Sequence, residues 1–398
     1  MKYKKDLFVK FSIYMLALRS PILILTIVAY LLSDLKSMVK MIRYTLPFII
    51  FILIEVIYSI SNGNDLANII GQSRDILLAI IVFAFLLSSS FTSMSVNYNI
   101  YKSLRNVFVF IGVVKILVII FAAVTGTQVS DIISWFRDTW NIQMMSLGVQ
   151  DSIFFRLQIP LDSAVPFMIY FVLQEIFKKK FEKKLLYLYL FILLISMLLT
   201  LSRAFWAETI LMLGLCYIFE ADSKRKLKTF IATFVSLSFL YFLTPVGDSI
   251  NRVIESRFGS SANVNNVASD HERLIQNLSL SNAFFDSPIL GHGLGYYVPN
   301  MIRSVDTKYL YESQTLSMLM DIGVLGCVVF LLLLLIVIFN QNRSIKSNVN
   351  SNFMVLVFIG LWIFSGSVNP LLFGASGGTI LFMIANFNRM TKNNSEGQ

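Results

Sequence analysis

Blocks of apolar residues about as long as a bilayer is thick, each bounded by an abrupt polar turn, limit this chain more than any other feature. They lie at about 7–19, 21–33, 44–61, 75–92, 106–125, 158–177, 185–201, 203–220, 228–246, 315–339, 353–369 and 371–388. About 20 apolar residues in a helix cross the roughly 30 Å hydrocarbon layer. A soluble core would instead mix apolar and polar residues at helical or strand period. The expected fold class is therefore all-α: a polytopic integral membrane protein with about 12 transmembrane helices. Eleven result if the first two blocks form one helix broken near Arg19-Ser20-Pro21, since proline kinks helices.

Lysine and arginine orient the chain. Lys178-Lys179-Lys180 with Lys183-Lys184, and Lys224-Arg225-Lys226 with Lys228, mark cytoplasmic loops under the positive-inside bias. Two apolar blocks separate these clusters, which is consistent. Counting outward leaves residues 126–157 and 247–314 outside. The expected domains are an N-terminal transmembrane bundle (1–246), a large external loop with amphipathic helices (247–314) and C-terminal transmembrane helices (315–398).

The net charge of +10 needs no nucleic acid, because the basic residues fall in short loops between blocks. Cys216 and Cys327 lie singly in apolar blocks, and no CxxC pattern suggests a disulfide or zinc site. The start, Met1-Lys2-Tyr3-Lys4-Lys5, resembles a signal-peptide n-region without an evident cleavage site, so it is expected to stay as a first anchor.

Long loops in compact proteins are usually functional or disordered, and this one is not disordered in composition. Here Val253, Ile254, Leu274, Ile275, Leu278 and Phe284-Phe285 give the loop apolar faces. Ser269 followed by Glu272 reads as a capping box opening a helix at about 270–286. Such a helix suits the outer membrane surface. Asp270 and Glu272 are better explained as first-turn acidic residues favoured by the helix dipole than as a metal pair.

Several residues stand out chemically. Arg203, in Leu201-Ser202-Arg203-Ala204-Phe205-Trp206, occupies a tight external turn. A snorkelling arginine would explain it, yet it lies on the side that positive charge avoids. Arg273 precedes Pro288-Ile289-Leu290-Gly291-His292-Gly293-Leu294-Gly295, whose glycines permit a tight path close to a ligand or a helix. Glu312, in Tyr311-Glu312-Ser313-Gln314, stands where the loop re-enters the membrane. Within the blocks, Glu55 and Lys115 fall near mid-helix, and Asp162 and Glu208 nearer the outer ends. Ionisable residues at such depth need partners, and Glu55 with Lys115 is the expected structural pair.

Taken in order, these motifs resemble the bacterial O-antigen polymerase and O-antigen ligase family, over about 200–330. Ser202-Arg203-Ala204-Phe205-Trp206 is similar to the family's Ser-Arg-Gly-x-Trp turn. Arg273 with Pro288 to Gly295 is similar to its Arg…Pro-Leu-x-Gly-x-Gly-x-Gly run. Glu312-Ser313 followed by Gly323-Val324-Leu325-Gly326 corresponds to a segment that often reads His-Asn…Gly-Ile-x-Gly. The family's frequent histidine is Glu312 here, which leans toward a polysaccharide polymerase.

The resemblance implies an inverting membrane glycosyltransferase of the bacterial cytoplasmic (inner) membrane. Its substrate would be an undecaprenyl diphosphate-linked glycan, and its product O-antigen (part of lipopolysaccharide) or capsule. Membrane lipid and a chain-length regulator protein are the implied partners, with no cofactor, metal or nucleic acid. Arg203 and Arg273 would hold the diphosphate, since a guanidinium binds phosphate bidentately and stays charged. Glu312 would orient or deprotonate the acceptor hydroxyl. Gly291, His292, Gly293, Gly295 and Gln314 would contact substrate, whereas Arg252 and Arg303 are expected to matter little. A ligase and a lipid-linked oligosaccharide flippase remain the alternatives. The lack of an internal repeat disfavours a transporter.

The orientation predicts that cysteines introduced at Ser261 and Ser304 react with an impermeant thiol reagent on intact cells. A cysteine at Ser223 should react only after the membrane is opened. External labelling at position 223 would overturn the orientation.

Overall fold

The structure, a computed structural model, describes residues 2–17, 22–90, 94–140, 145–148, 155–178, 184–220, 263–305, 307–343 and 349–387. The expected block at 228–246 and Arg252 lie outside the described residues. Among the described residues the chain is all-α apart from one small β-ribbon. Two compact units form, one from Met1–Ser103 with His271–Asn393 and the other from Leu104–Asp270.

The first unit begins with α1 (Lys2–Ala17) and α2 (Ile22–Ser33). They pack on each other and are joined by a hydrogen bond from Ser12 Oγ to Thr26 Oγ1 at 2.9 Å. They are thus two helices side by side. Next come α3 (Leu35–Ser61) and α4 (Leu66–Ser90). Helix α5 (Met94–Thr125) leads out of this unit.

The second unit continues with α6 (Val129–Trp140) and the antiparallel ribbon of β1 (Met145–Gly148) and β2 (Phe155–Gln158), in which Met145 pairs with Gln158. A 3-10 turn (Pro160–Ala164) starts α7 (Val165–Lys178), which packs on α8 (Lys184–Leu198) and α9 (Arg203–Glu220). The chain returns through α10 (Asn263–Asp286) to α11 (Gln314–Arg343), α12 (Val349–Val368) and α13 (Gly374–Ala385). Helix α13 packs mainly on α4.

Among the described residues, four helices are long and apolar enough to cross a bilayer: Leu35–Ser61, Leu66–Ser89, Asn99–Thr125 and Gln314–Gln341. Their outward faces carry large exposed apolar side chains such as Leu53, Ile57, Phe121 and Leu332. A hydrocarbon solvent accommodates such faces; water does not.

The expected Glu55–Lys115 pair does not form. Lys115 Nζ donates to both carboxylate oxygens of Asp162 at 2.7 Å, and both side chains are essentially fully buried. The 3-10 turn presents this carboxylate, and Asp162 also accepts the Ile159 backbone N–H at 2.7 Å. Sequence depth placed Asp162 nearer the surface than Lys115, but a lysine's four-carbon stem bridges that offset. A second pair, Arg105 with Glu175 at 2.7 Å, is equally buried. Glu55 lies in the first unit, with Oε2 buried and without a hydrogen-bond partner among the described residues.

The helix expected from Ser269 begins earlier, at Asn263, so Ser269 lies inside α10 and is not its cap. The apolar spacing of Leu274 and Leu278 extends back to Val267 and Val264, and the upstream turns follow it.

Removing one partner of a buried ion pair strands a charge and costs about 3–5 kcal/mol. Asp162→Asn should therefore sharply lower the thermal stability of the purified protein. Lys115→Met with Asp162→Leu should recover most of it in the same melting assay, because no charge is then left alone.

Candidate functional site

The tight turn before Arg203 is heavily constrained. Leu201 adopts φ 47°, a left-handed conformation uncommon for a residue other than glycine. Surrounding bonds impose it. Thr200 Oγ1 donates to Met197 O at 2.7 Å, Leu201 N–H to Leu198 O at 3.1 Å, and Trp206 Nε1–H to Met197 O at 3.0 Å. From β2, Leu157 N–H donates to Leu199 O at 2.9 Å. The result is an arginine at the first position of α9, paired with Asp270 at 2.7 Å and partly open to its surroundings.

In the first unit, α10 turns Gln276, Leu280 and Ala283 inward and leaves Leu274, Leu278 and Phe285 exposed. Leu280 and Ala283 pack with Tyr311 and Met320. Gln276 Oε1 accepts the Glu312 backbone N–H at 2.9 Å, which fixes Glu312 beside α10. Glu312 Oε2 pairs with Arg273, and Oε1 pairs with Arg303 at 2.6 Å. Arg303, expected to matter little, therefore shares the carboxylate at the centre of the candidate site. The loop fold brings it there, and no spacing along the sequence signals it. Burial pushes the neighbouring Tyr311 phenol up to about 12, so it stays protonated at neutral pH.

The glycine run serves backbone packing. Helix α11 is broken at Gly323, which has φ 62° and ψ −175°. A continuous helix would pair the carbonyls of Met320 and Asp321 with the amides of Val324 and Leu325. In their place stands the loop before α11. His292 and Gly293 donate to the Met320 and Asp321 carbonyls at 3.0 and 2.7 Å, and the Val324 and Leu325 amides donate to Pro288 O and Ile289 O at 2.9 and 3.1 Å.

Gly291 and Gly323 meet backbone to backbone. A Cβ on Gly291 would overlap the Asp321 carbonyl, and one on Gly323 would overlap the Ile289 carbonyl. Gly293 and Gly295, at φ 90° and 76°, press likewise on Ser59 and Ile69 of α3 and α4.

Polar side chains complete the dock. Asn62 and Asn64 donate to the His292 carbonyl at 3.1 and 2.9 Å, and Gln72 bridges the Gly295 amide and Asp321 Oδ2. The His292 ring stacks on Tyr296, with centroids 4.2 Å apart, and lies 2.7 Å from the Ala283 carbonyl through Nε2. Nε2 must therefore carry the proton. Gln314 Oε1 accepts the Leu372 amide at 2.7 Å and ties α11 to the turn just before α13. The structure thus gathers Arg273, Glu312 and the glycine run in the first unit, while Arg203 and Asp270 belong to the second.

Residues 188–331 match a family model described as O-antigen ligase. That span runs from α8 into α11 and contains Arg203, Arg273, the glycine run and Glu312. That span is similar to the O-antigen ligase family over about a third of the chain. No curated protein matches the chain.

A methyl group at Gly291 or Gly323 has no room and a strained backbone. Gly291→Ala and Gly323→Ala should each lower the yield and melting temperature of the purified protein. Gly214→Ala and Gly360→Ala, where a Cβ meets nothing within 4 Å, should leave both unchanged. Normal stability with lost activity at 291 would assign that glycine to substrate contact instead.

Proposed function

We propose that this chain is a membrane glycosyltransferase. It polymerises undecaprenyl diphosphate-linked oligosaccharide repeats into a surface polysaccharide on the outer face of the bacterial cytoplasmic membrane, with twelve crossings. The observation that carries this reading is the set of guanidiniums, each held by a carboxylate, within or beside the matched domain. Arg203 is held by Asp270, and Arg273 and Arg303 share Glu312. A guanidinium that pairs with a carboxylate is also suited to phosphate, because the two anions present similar oxygen geometry. The anion of this reaction is the donor's diphosphate.

The donor carries its own leaving group. An acceptor hydroxyl attacks the anomeric carbon, the carbon–oxygen bond to phosphate breaks, and the diphosphate takes the electron pair. Arginines stabilise the charge that develops there. When the diphosphate takes Arg273 and Arg303, Glu312 is released from both. A carboxylate freed in this way accepts or orients the acceptor hydroxyl proton. The glycine run and His292 fix the loop that carries Glu312 and Arg303. Gln314 anchors the helix that follows.

A ligase is the second reading, favoured by the description of the matched family model. Glu312 in place of the family's frequent histidine favours a polymerase. Lipid-linked glycan accumulating in a deletion strain separates them. Single repeats on the outer face indicate a polymerase, full-length unattached polymer a ligase, and inward-facing repeats a flippase.

Arg203→Ala and Arg273→Ala should each abolish polymer while the protein remains inserted. Lysine at either position should rescue poorly, because it keeps charge without the planar fork. Arg303→Ala should reduce polymer strongly. As the base, Glu312 changed to Gln should lose turnover while retaining donor binding; as an orienting group, Glu312→Gln should keep most activity while Glu312→Ala does not. Wild-type polymer from Arg203→Ala and Arg273→Ala would remove the diphosphate assignment, and wild-type polymer from Glu312→Ala would leave Glu312 an interfacial charge.

A further inference from the structure

The second unit holds an apolar groove that the reaction outlined above does not use. Its volume is about 570 Å³, and its walls are Leu117, Val118 and Phe121 of α5 with Ile132, Trp135 and Phe136 of α6. The local sequence explains why it exists. Helix α5 is of membrane-spanning length up to Thr125, Gly126 turns the chain at φ 69°, and α6 folds back beside it. Val118, Ala122, Val129, Ile133 and Leu157 form a buried cluster behind these walls, against which Ile132 and Phe136 pack. Trp135 and Phe136 meet edge to face at 5.1 Å, which stiffens one wall. Leu117 and Phe121 form an exposed outer lip.

The occupant follows from two observations. First, α6 is amphipathic and carries Trp135 beside the end of a membrane helix, the composition of a helix lying in the interface. The groove mouth therefore faces hydrocarbon, and a lipid chain is what surrounds it. Second, the cluster packed behind the groove is tied to the turn before Arg203 within the same unit. Leu157 donates its amide to Leu199, at the head of the turn that delivers Arg203. Asp131 at the groove edge disfavours a phosphate there, which leaves the headgroup to the guanidinium.

We propose that this groove seats the hydrocarbon chain of the lipid diphosphate donor close to its headgroup, with Arg203 on the diphosphate. This rests on the glycosyl-transfer reading above. A volume of this size lies within the range of about 300–1,000 Å³ usual for ligand sites. Bilayer lipid is as apolar as the groove, so the hydrophobic effect does not select the occupant. Selection comes from dispersion contacts between the aromatic walls and a methyl-branched chain, together with the charged headgroup. A phospholipid has unbranched chains and a single phosphodiester, so it fits the groove and the guanidinium less closely than a branched-chain diphosphate.

Photolabelling of the full-length protein in phospholipid nanodiscs tests this. The photoreactive residue p-benzoylphenylalanine replaces Leu117 or Phe136 in the groove, or Phe110, an exposed residue of α5 that does not line it. With radiolabelled undecaprenyl diphosphate, labelling at 117 and 136 should exceed that at 110 several-fold. Excess unlabelled lipid diphosphate should erase the difference, and excess phosphatidylglycerol should not. Equal labelling at the three positions, or competition by phosphatidylglycerol, overturns the proposal and assigns the groove to bulk lipid. As a second measure, Ile132→Trp should raise KM for a long-chain donor and leave a geranyl-chain analogue unaffected, with kcat unchanged. An unchanged KM for both counts against the groove. Groove labelling alongside active Arg203→Ala and Arg273→Ala variants would keep the groove and sink the diphosphate assignment. Inactive arginine variants without groove labelling would do the reverse.

Discussion

A break in a membrane helix leaves backbone groups unpaired where no water reaches them, and each unsatisfied group is costly there. Helix α11 has such a break at Gly323, and the rest of its unit is arranged to satisfy it. Two carbonyls and two amides of the helix find partners in residues 288–293. The loop approaches closely enough only because neither Gly291 nor Gly323 has a side chain. The α3–α4 turn then holds the far side of the loop through Asn62 and Asn64. Glu312 and Arg303 hang on a segment anchored at both ends, by this dock and by α11. Their geometry is fixed before any ligand arrives.

Charge is handled differently in the two kinds of place. Deep in the helices, Lys115–Asp162 and Arg105–Glu175 are closed pairs with almost no exposed surface, and they stabilise packing. Near the loops, Arg203, Arg273 and Arg303 remain a third to nearly a half exposed while paired. Exposed pairs are weak, about 0–1 kcal/mol. An incoming anion therefore displaces the carboxylate at small cost, whereas the buried pairs are inert to it.

The membrane character, the helical class and the motifs at 202–206, 288–295 and 312–326 were legible because they depend on local composition and spacing. The pairing of Lys115 was not. Hydropathy gives the depth of a residue in its own helix and nothing about which helix stands beside it. Glu55 had a suitable depth, but Asp162 is the neighbour. Arg303 was missed for a related reason: a stretch without period gives no sign of where its side chains converge. The start of α10 was misplaced because Ser269 and Glu272 satisfy a local capping pattern that the continuing apolar spacing upstream outweighs. The glycines were correctly marked as points of close approach, with a helix as one of the two expected partners. Only the structure shows that the helix is their partner and that Gly323, which falls in another motif, is its other half.

The burial of Lys115 also orders the birth of the protein. Helix α5 is synthesised with a cation in its apolar stretch, and the anion that neutralises it comes 47 residues later along the chain. Until Asp162 emerges, a charged α5 alone in lipid is unfavourable. Release of α5 into the bilayer is therefore coupled to the arrival of the turn before α7. The intervening α6 and ribbon separate the two charges along the chain, so the pair closes only after the segment between these helices has been made.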